Sequence, residues 1–396
     1  MIPSLAFLLV LAANVLYWLS LQSLFPVLPL YIESLGGTPA DNGLATFSAA
    51  GGAVLSRLFI GTLTDRFGRK PVMLIGGIIA CVSPALYGLA HTIPVLIAAR
   101  ALAGVGIAAF TTGFQALLAD LAPPGRRGEV LGWGGNSMAL AALVGPLAGD
   151  WITRHQGFPV AFSTAAIAGA LCALASLLVH EPSREAKRAI GTPPLQGLQE
   201  TLALRNVRVG IAAVSPLGMA FGAMVTFWPL VAQQHQLNTV GAFYSVYALG
   251  QLAVQTLAGR LSDRIGRSRV MLPGMLLAGV AFASIPLARS DAASLLVAFA
   301  CGAGLGIARP AIDALVLDGV PITLRGTAVA VEFTLNDVWI GLGSALLGSL
   351  ASAAGYDATY AVAGAACVVV AGALFVFRRR TAASRNADQE EKWISS

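Results

Sequence analysis

The sequence predicts an all-α membrane protein of twelve apolar spans arranged as two six-helix halves. Three observations carry this. Of 396 residues, 56% are hydrophobic and only 11% charged, with a mean hydropathy of +0.75. A soluble domain is about a quarter charged, so this chain lacks the polar residues to cover a water-facing surface. Its apolar runs are long and unbroken, and about 20 such residues span a bilayer as a helix. An open sheet is excluded because lipid cannot satisfy its edge, and the short alternating strands of a barrel are not seen. Finally, the charged turn "GTLTDRFGRKP" at 61–71 is written again as "GRLSDRIGRSR" at 259–269. Gly61, Asp65, Arg66, Gly68 and Arg69 recur as Gly259, Asp263, Arg264, Gly266 and Arg267, each 198 residues on.

The expected spans of the first half are 4–31, 43–64, 71–90, 93–120, 128–152 and 158–180. Those of the second half are 206–234, 240–262, 269–288, 293–318, 326–353 and 357–378. The expected organisation is a first bundle over 1–180, a linker over 181–205, a second bundle over 206–380 and a tail over 381–396. The linker opens with a polar, Pro- and Gly-containing stretch, "EPSREAKRAIGTPPLQG", which reads as a loop. The tail is polar and is expected to be mobile. Further matches keep the same offset: Gly104 and Gly106 with Gly302 and Gly304, Asp120 with Asp318, and Arg127–Gly128 with Arg325–Gly326. A register held over that length implies duplication, and parallel six-helix repeats are a transporter plan.

The first run is too long for a signal peptide and has neither a basic n-region nor a small-residue cleavage site, so it reads as a retained helix. Cys81, Cys172, Cys301 and Cys367 all fall in apolar runs and read as small buried hydrophobes. No Cys/His cluster has metal-ligand spacing, and no cofactor is expected. The pI near 9.4 raises the question of nucleic acid, but the bases lie in alternate loops. One set holds Arg66, Arg69, Lys70, Arg126, Arg127, Arg184, Lys187, Arg188, Arg260, Arg264, Arg267, Arg269 and Arg325, whereas the opposite set holds Arg154 and Arg289. That bias is a topology signal: the basic side and both termini are expected in the cytoplasm, with the chain multi-pass in the inner (plasma) membrane.

With the repeat, the spans and the turn at 61–71, the chain resembles a major facilitator superfamily transporter over essentially its whole length. The turn matches that family's loop 2–3 motif. "RALAGVG" at 100–106 resembles its helix 4 Arg–Gly motif. "GWGGNSMALAALVGPLAGD" at 132–150 resembles the Gly-Pro motif of exporting antiporters, except that Ala141 and Asp150 stand where glycine is usual. The resemblance implies a monomer that takes a small solute and protons across the bilayer.

For the turn, the resemblance implies a conformational latch. Gly61 would let helix backbones approach closely, and Gly68 would serve a tight turn. Asp65 would face the N-terminus of helix 11 near Gly326, where a carboxylate gains about 0.3–1 kcal/mol. Arg69 would pair with Asp120, Asp263 would face helix 5 near Gly128, and Arg267 would pair with Asp318. Arg66 and Arg264 complete the motif. The bland alternative is that these charges only set topology.

An ionisable residue at mid-bilayer is a functional candidate by default. Arg100 is read either as a modulator of proton coupling, by the resemblance, or as a packing arginine bonded to carbonyls. "RPAID" and "EFTLND" supply Arg309 with Asp313 and Glu332 with Asp337. Three acids sharing one arginine cannot all be charged cheaply, so at least one is expected to be held neutral. Asp337, the deepest, is favoured as the proton site with Arg309 as its partner. Asp313 and Glu332 read alternatively as a gate, and a static ion network is the bland reading of the whole set.

Helix 1 offers Asn14, Tyr17, Trp18 and Gln22 but no carboxylate before Glu33. By the resemblance, these would line a cavity together with Gln115, Asn136, Trp228, Tyr244, Tyr247, Gln251 and Asn336. Aromatics and amides with few charges suit an amphipathic solute, including a cation; the aromatics read equally as ordinary packing. The expected function is proton-coupled efflux of such molecules by alternating access. The alternative is a carrier of a sugar, a polar metabolite or a lipid-like solute. No nucleophile, base or phosphate-binding motif points to an enzyme.

Overall fold

The computed structural model describes residues 5–123, 126–180, 194–321 and 324–394. Every regular element among them is helical. Helix α1 spans Leu5–Gln22 and α2 spans Leu28–Ser34, so the expected first span is broken near Pro26. It is followed by α3 (Pro39–Phe67), α4 (Arg69–Leu89), α5 (Ile93–Asp120), α6 (Arg127–Gln156) and α7 (Phe158–Leu178). A short helix not expected from sequence, α8 (Pro194–Ala203), precedes α9 (Arg205–Gln234). Then come α10 (Val240–Ile265), α11 (Arg267–Ala283) and α12 (Asp291–Leu317).

The last element, α13 (Arg325–Ile394), is a hairpin of two arms. Gly355 adopts φ 81°, ψ 176° at the bend. The Thr359 hydroxyl donates to the Leu347 carbonyl at 3.5 Å, whereas twelve residues of straight helix would separate them by about 18 Å. Backbone helix then continues to Ile394, where a mobile tail was expected. The sequence there is rich in Ala, Arg, Glu and Gln, strong helix formers with no breaker among them. Among the described residues, eight helices, α13 among them, are long and apolar enough to cross a membrane.

Each half packs its own core. The second-half core runs from Val207 to Ala371 around fully buried Phe227, Trp228, Phe243, Phe282 and Tyr360. The first half has three smaller clusters, all between Val10 and Val179. The internal repeat persists at the level of contacts. A Cβ on Gly104 would lie 1.9 Å from the Ala49 carbonyl oxygen, and one on Gly302 would lie 1.9 Å from that of Tyr247. Both members of each pair are related by the same offset of 198 residues, so equivalent helices touch at equivalent turns. In lipid, where apolar side chains gain little from leaving their solvent, such close backbone approach is a main source of helix association.

The halves meet through α3 with the first arm of α13, and through α6 with α10. Gly43 abuts the Ser344 carbonyl, and its repeat partner Gly241 abuts that of Pro146. Gly348 packs on Pro39 and Ala40. These contacts lie at one end of the bundle, here termed the far end. At the opposite, basic end, Gly61 and Gly326 have open space where a Cβ would stand. The close approach expected of Gly61 is absent: α3 and α13 touch along their far halves and separate toward the basic end.

Candidate functional site

The two charged turns are built alike. Gly68, at φ 111°, is the lone residue between α3 and α4, and Gly266, at φ 99°, the lone residue between α10 and α11. A side chain is strained at such φ, so glycine permits a one-residue reversal. The turn then delivers an arginine to the end of a neighbouring helix. Arg69 Nε lies 2.8 Å from Asp120 Oδ2, and Arg267 Nε lies 3.2 Å from Asp318 Oδ2. Arg267 also engages Asp263 and donates to Ser262 Oγ at 3.0 Å. Asp263 and then Asp318 raise the Arg267 pKa above its ordinary value.

Each pair lies within its own half. Asp263 is exposed and held by Arg267 of its own half. The side chain of Asp65 and the surroundings of Gly128 fall outside the described residues. Arg66 rests over the Phe67 ring at 5.4 Å, and Arg264 is exposed.

Within the second half, Arg309 on α12 gathers three partners. Its Nε donates to Asp313 Oδ1 at 2.7 Å and its Nη1 to Asn336 Oδ1 at 3.1 Å. Its Nη2 lies 3.3 Å from Glu332 Oε1, a carboxylate only 2% exposed. The guanidinium also sits over the Phe333 ring at 5.2 Å, a favourable placement for a cation.

Asp337 makes no ion pair with Arg309. Its Oδ2 lies 2.5 Å from Nη1 of Arg57, on α3 of the other half, with both side chains about a quarter exposed. The expected Arg309–Asp337 pair is therefore corrected to Arg57–Asp337. The reason is helical phase. Glu332 and Asn336 are four residues apart and share the face toward α12. Asp337, one residue on, is rotated about 100° and faces α3. Depth alone, counted along the helix, could not show this.

Sequence reading missed Arg57, although a lone base inside the apolar run 43–64 is the signal that singled out Arg100. It also missed a polar relay between halves: Thr46 and Thr226 hydroxyls lie 2.9 Å apart, and Thr226 donates to Ser344 Oγ at 3.2 Å. Arg100 itself lies near buried Tyr87.

The expected cavity residues divide. Asn14 is buried, donating to the Gly134 carbonyl at 3.1 Å and to Ser137 Oγ at 2.7 Å, so it joins α1 to α6. Tyr17 is buried and stacked on Phe110, 3.9 Å between centroids, with Trp18 edge-on to it. Gln22 is buried. Trp228 is wholly buried, stacked on Phe243 at 3.9 Å, with its indole N–H donating to the Val240 carbonyl. The Tyr244 hydroxyl donates to the Val225 carbonyl at 3.2 Å. Tyr247 is buried near Phe221. Asn14, Tyr17, Gln22, Trp228, Tyr244 and Tyr247 are packing residues in this conformation, not lining. Large aromatics with one polar atom are the side chains that fill a helical core when a carbonyl is in reach. Gln115 and Asn136 are exposed, while Trp18, Gln251 and Asn336 are half-buried.

Among known proteins, the model of the Major Facilitator Superfamily matches residues 10–245 and 217–395. The chain is 27% identical over 379 residues to multidrug resistance protein MdtG of Yersinia enterocolitica serotype O:8 / biotype 1B, covering 89% of this chain and 88% of that protein. Among solved structures, a point mutant of the nucleoside transporter NupG aligns with a TM-score of 0.78 at 14% identity, over 94% of this chain and 99% of that one. A bacterial homolog of the human lysosomal transporter Spinster, inward-facing and unoccupied, aligns with a TM-score of 0.76 at 18% identity, over 94% of each.

Proposed function

The chain belongs to the major facilitator superfamily, and from that premise we propose that it exports small amphipathic or drug-like molecules in exchange for protons, by alternating access. The MdtG relatives support the solute class. The single observation that carries the coupling is the Arg57–Asp337 pair. It is the one ion pair among the described residues that joins the two halves, and it sits where α3 and α13 begin to part.

Basic loops face the cytoplasm. The basic end is therefore the cytoplasmic one, and the conformation is inward-facing. In this state Asp337 has discharged its proton to the cytoplasm and its carboxylate is neutralised by Arg57. A cationic or amphipathic solute entering from the open end competes with Arg57 for Asp337 and loosens the tether between halves. The halves then rock so that the far end opens. There Asp337 takes a proton from outside, which releases the solute, and the neutral carboxyl permits return. Arg309, with Asp313, Glu332 and Asn336, forms a second charged group that stays inside one half and fixes the α12–α13 face throughout. The charged turns close the basic end in the outward-facing state through Asp65 and Asp263, and their arginines, Arg69 and Arg267, are held ready by Asp120 and Asp318.

The test is proton movement in liposomes containing a trapped pH dye. Ethidium added to wild-type vesicles is expected to evoke proton flux, and Asp337→Asn is expected to abolish that flux and to weaken ethidium binding. Flux surviving in Asp337→Asn would remove Asp337 as the carrier. Equilibration of a radiolabelled sugar with no proton flux from any lipophilic cation would replace antiport by facilitated diffusion.

A further inference from the structure

The far end is closed by two interfaces that the internal repeat makes equivalent, yet they are not chemically alike. Gly43 against Ser344 corresponds to Gly241 against Pro146, residue for residue at the offset of 198. In the first interface Gly348 packs directly on the start of α3, and the Ala40 N–H donates to Ser352 Oγ at 3.2 Å. The equivalents of Gly348 and Ser352 in the second interface are Asp150 and Arg154. There Asp150 Oδ2 accepts from the Gly241 N–H at 3.1 Å. Arg154 Nε holds the other oxygen, Oδ1, at 2.8 Å and its Nη1 reaches Asn238 Oδ1 at 3.4 Å.

The two helices that receive these contacts also differ. Helix α3 caps itself: Thr38 and Asp41 form a reciprocal capping box. Helix α10 does not. Its N-cap residue, Thr239, makes no side-chain cap bond, and its hydroxyl is turned to Asp291 and Ser294. The first N–H groups of a helix have no intrahelical partner, and an acid there gains from both the bond and the helix dipole. For α10 that acid comes from the opposite half.

We propose that Asp150 is a positioning residue of the transport cycle: it caps α10 across the interface and so holds the far end shut, and α10 loses that cap whenever this end opens. The other interface loses only the neutral bond from the Ala40 N–H to Ser352 Oγ, and α3 keeps Thr38 in either state. Closure of the far end is thus governed asymmetrically, by one charged contact on the α6–α10 side. The position is where the Gly-Pro motif of helix 5 usually has glycine, so the substitution turns a packing site into a lock. Asp150, Arg154 and Asp291 are the charged groups facing this helix start.

The experiment is a spin-label distance across the far end, which needs neither solute nor proton and so stands or falls apart from the proposed function. Leu89 and Leu287 are repeat equivalents, 71% and 73% exposed, and lie on opposite halves at that end. Both are replaced by cysteine and labelled in a Cys81→Ala background, Cys172, Cys301 and Cys367 being buried. Wild type is expected to show chiefly the short, closed distance. Asp150→Ala is expected to raise the ratio of long to short distances about tenfold, the scale of a charged cap. Asp150→Asn, whose amide oxygen still accepts from Gly241 but carries no charge, is expected to fall between. Ser352→Ala is expected to leave the ratio within about twofold of wild type. A distribution in Asp150→Ala identical to wild type overturns the proposal, as does a shift in Ser352→Ala equal to that in Asp150→Ala. Should Asp150→Ala not reach the membrane, Asp150→Asn decides alone: an unchanged distribution overturns the assignment.

Discussion

Removing one member of the Arg57–Asp337 pair should cost far more than removing both. At contact distance and an effective dielectric near 20, opposite unit charges attract by about 4 kcal/mol or more. Each side chain is about a quarter exposed, so water screens part of that. Truncating one partner of a fully buried pair costs about 3–5 kcal/mol, because a charge is left without its counter-ion, whereas replacing both is often neutral. For this partly wet pair we take about 2–3 kcal/mol for Arg57→Gln and for Asp337→Asn singly, and below about 1 kcal/mol for the double variant. The assay is thermal unfolding in detergent, followed with a thiol-reactive fluorophore that reports exposure of buried Cys172, Cys301 and Cys367. At about 2 °C per kcal/mol for a chain of this size, each single variant should melt about 4–6 °C lower and the double variant within about 2 °C of wild type. A double variant that loses the sum of the two singles would refute the reasoning, since the residues would then act independently.

Four further outcomes follow from the packing. Gly104→Val and Gly302→Val should each lower protein yield and melting temperature sharply, because a Cβ would stand 1.9 Å from a neighbouring carbonyl oxygen in both cases. Gly61→Val should melt like wild type yet move ethidium slowly, as its surroundings are open here and must close later in the cycle. Arg309→Ala should destabilise more than Asp313→Asn in the same unfolding assay, by about 2 kcal/mol, because it leaves the buried Glu332 without a cation. Trp228→Phe should cost about 1 kcal/mol, the bond to the Val240 carbonyl, with ethidium transport retained if the residue only packs.

Composition and the repeated turn were sufficient for the all-helical membrane architecture, and most helix ends fall within a few residues of the positions expected. This follows from lipid as solvent: hydropathy and span length are properties of the local chain, and a helix satisfies its own backbone wherever it lies. The intrahalf pairs Arg69–Asp120 and Arg267–Asp318 were implied by the resemblance, and the duplication makes them one arrangement in two copies. What sequence could not supply was azimuth. Asp337 and Arg309 share a depth, but one residue of helical phase turns Asp337 toward Arg57. Asn14 and Tyr17 of helix 1, with Trp228 and Tyr244 of later helices, were expected on lining faces, and those side chains are buried in the core. Asp150 was visible only as a departure from a motif, until the packing of α6 against α10 brought it to a helix start that lacked a cap. Hydropathy and the 198-residue register were enough to say which segments cross the bilayer and which repeat. Which faces meet emerged from the packing, because the rotation of each helix and the tilt between halves are set by contacts between residues far apart in the chain.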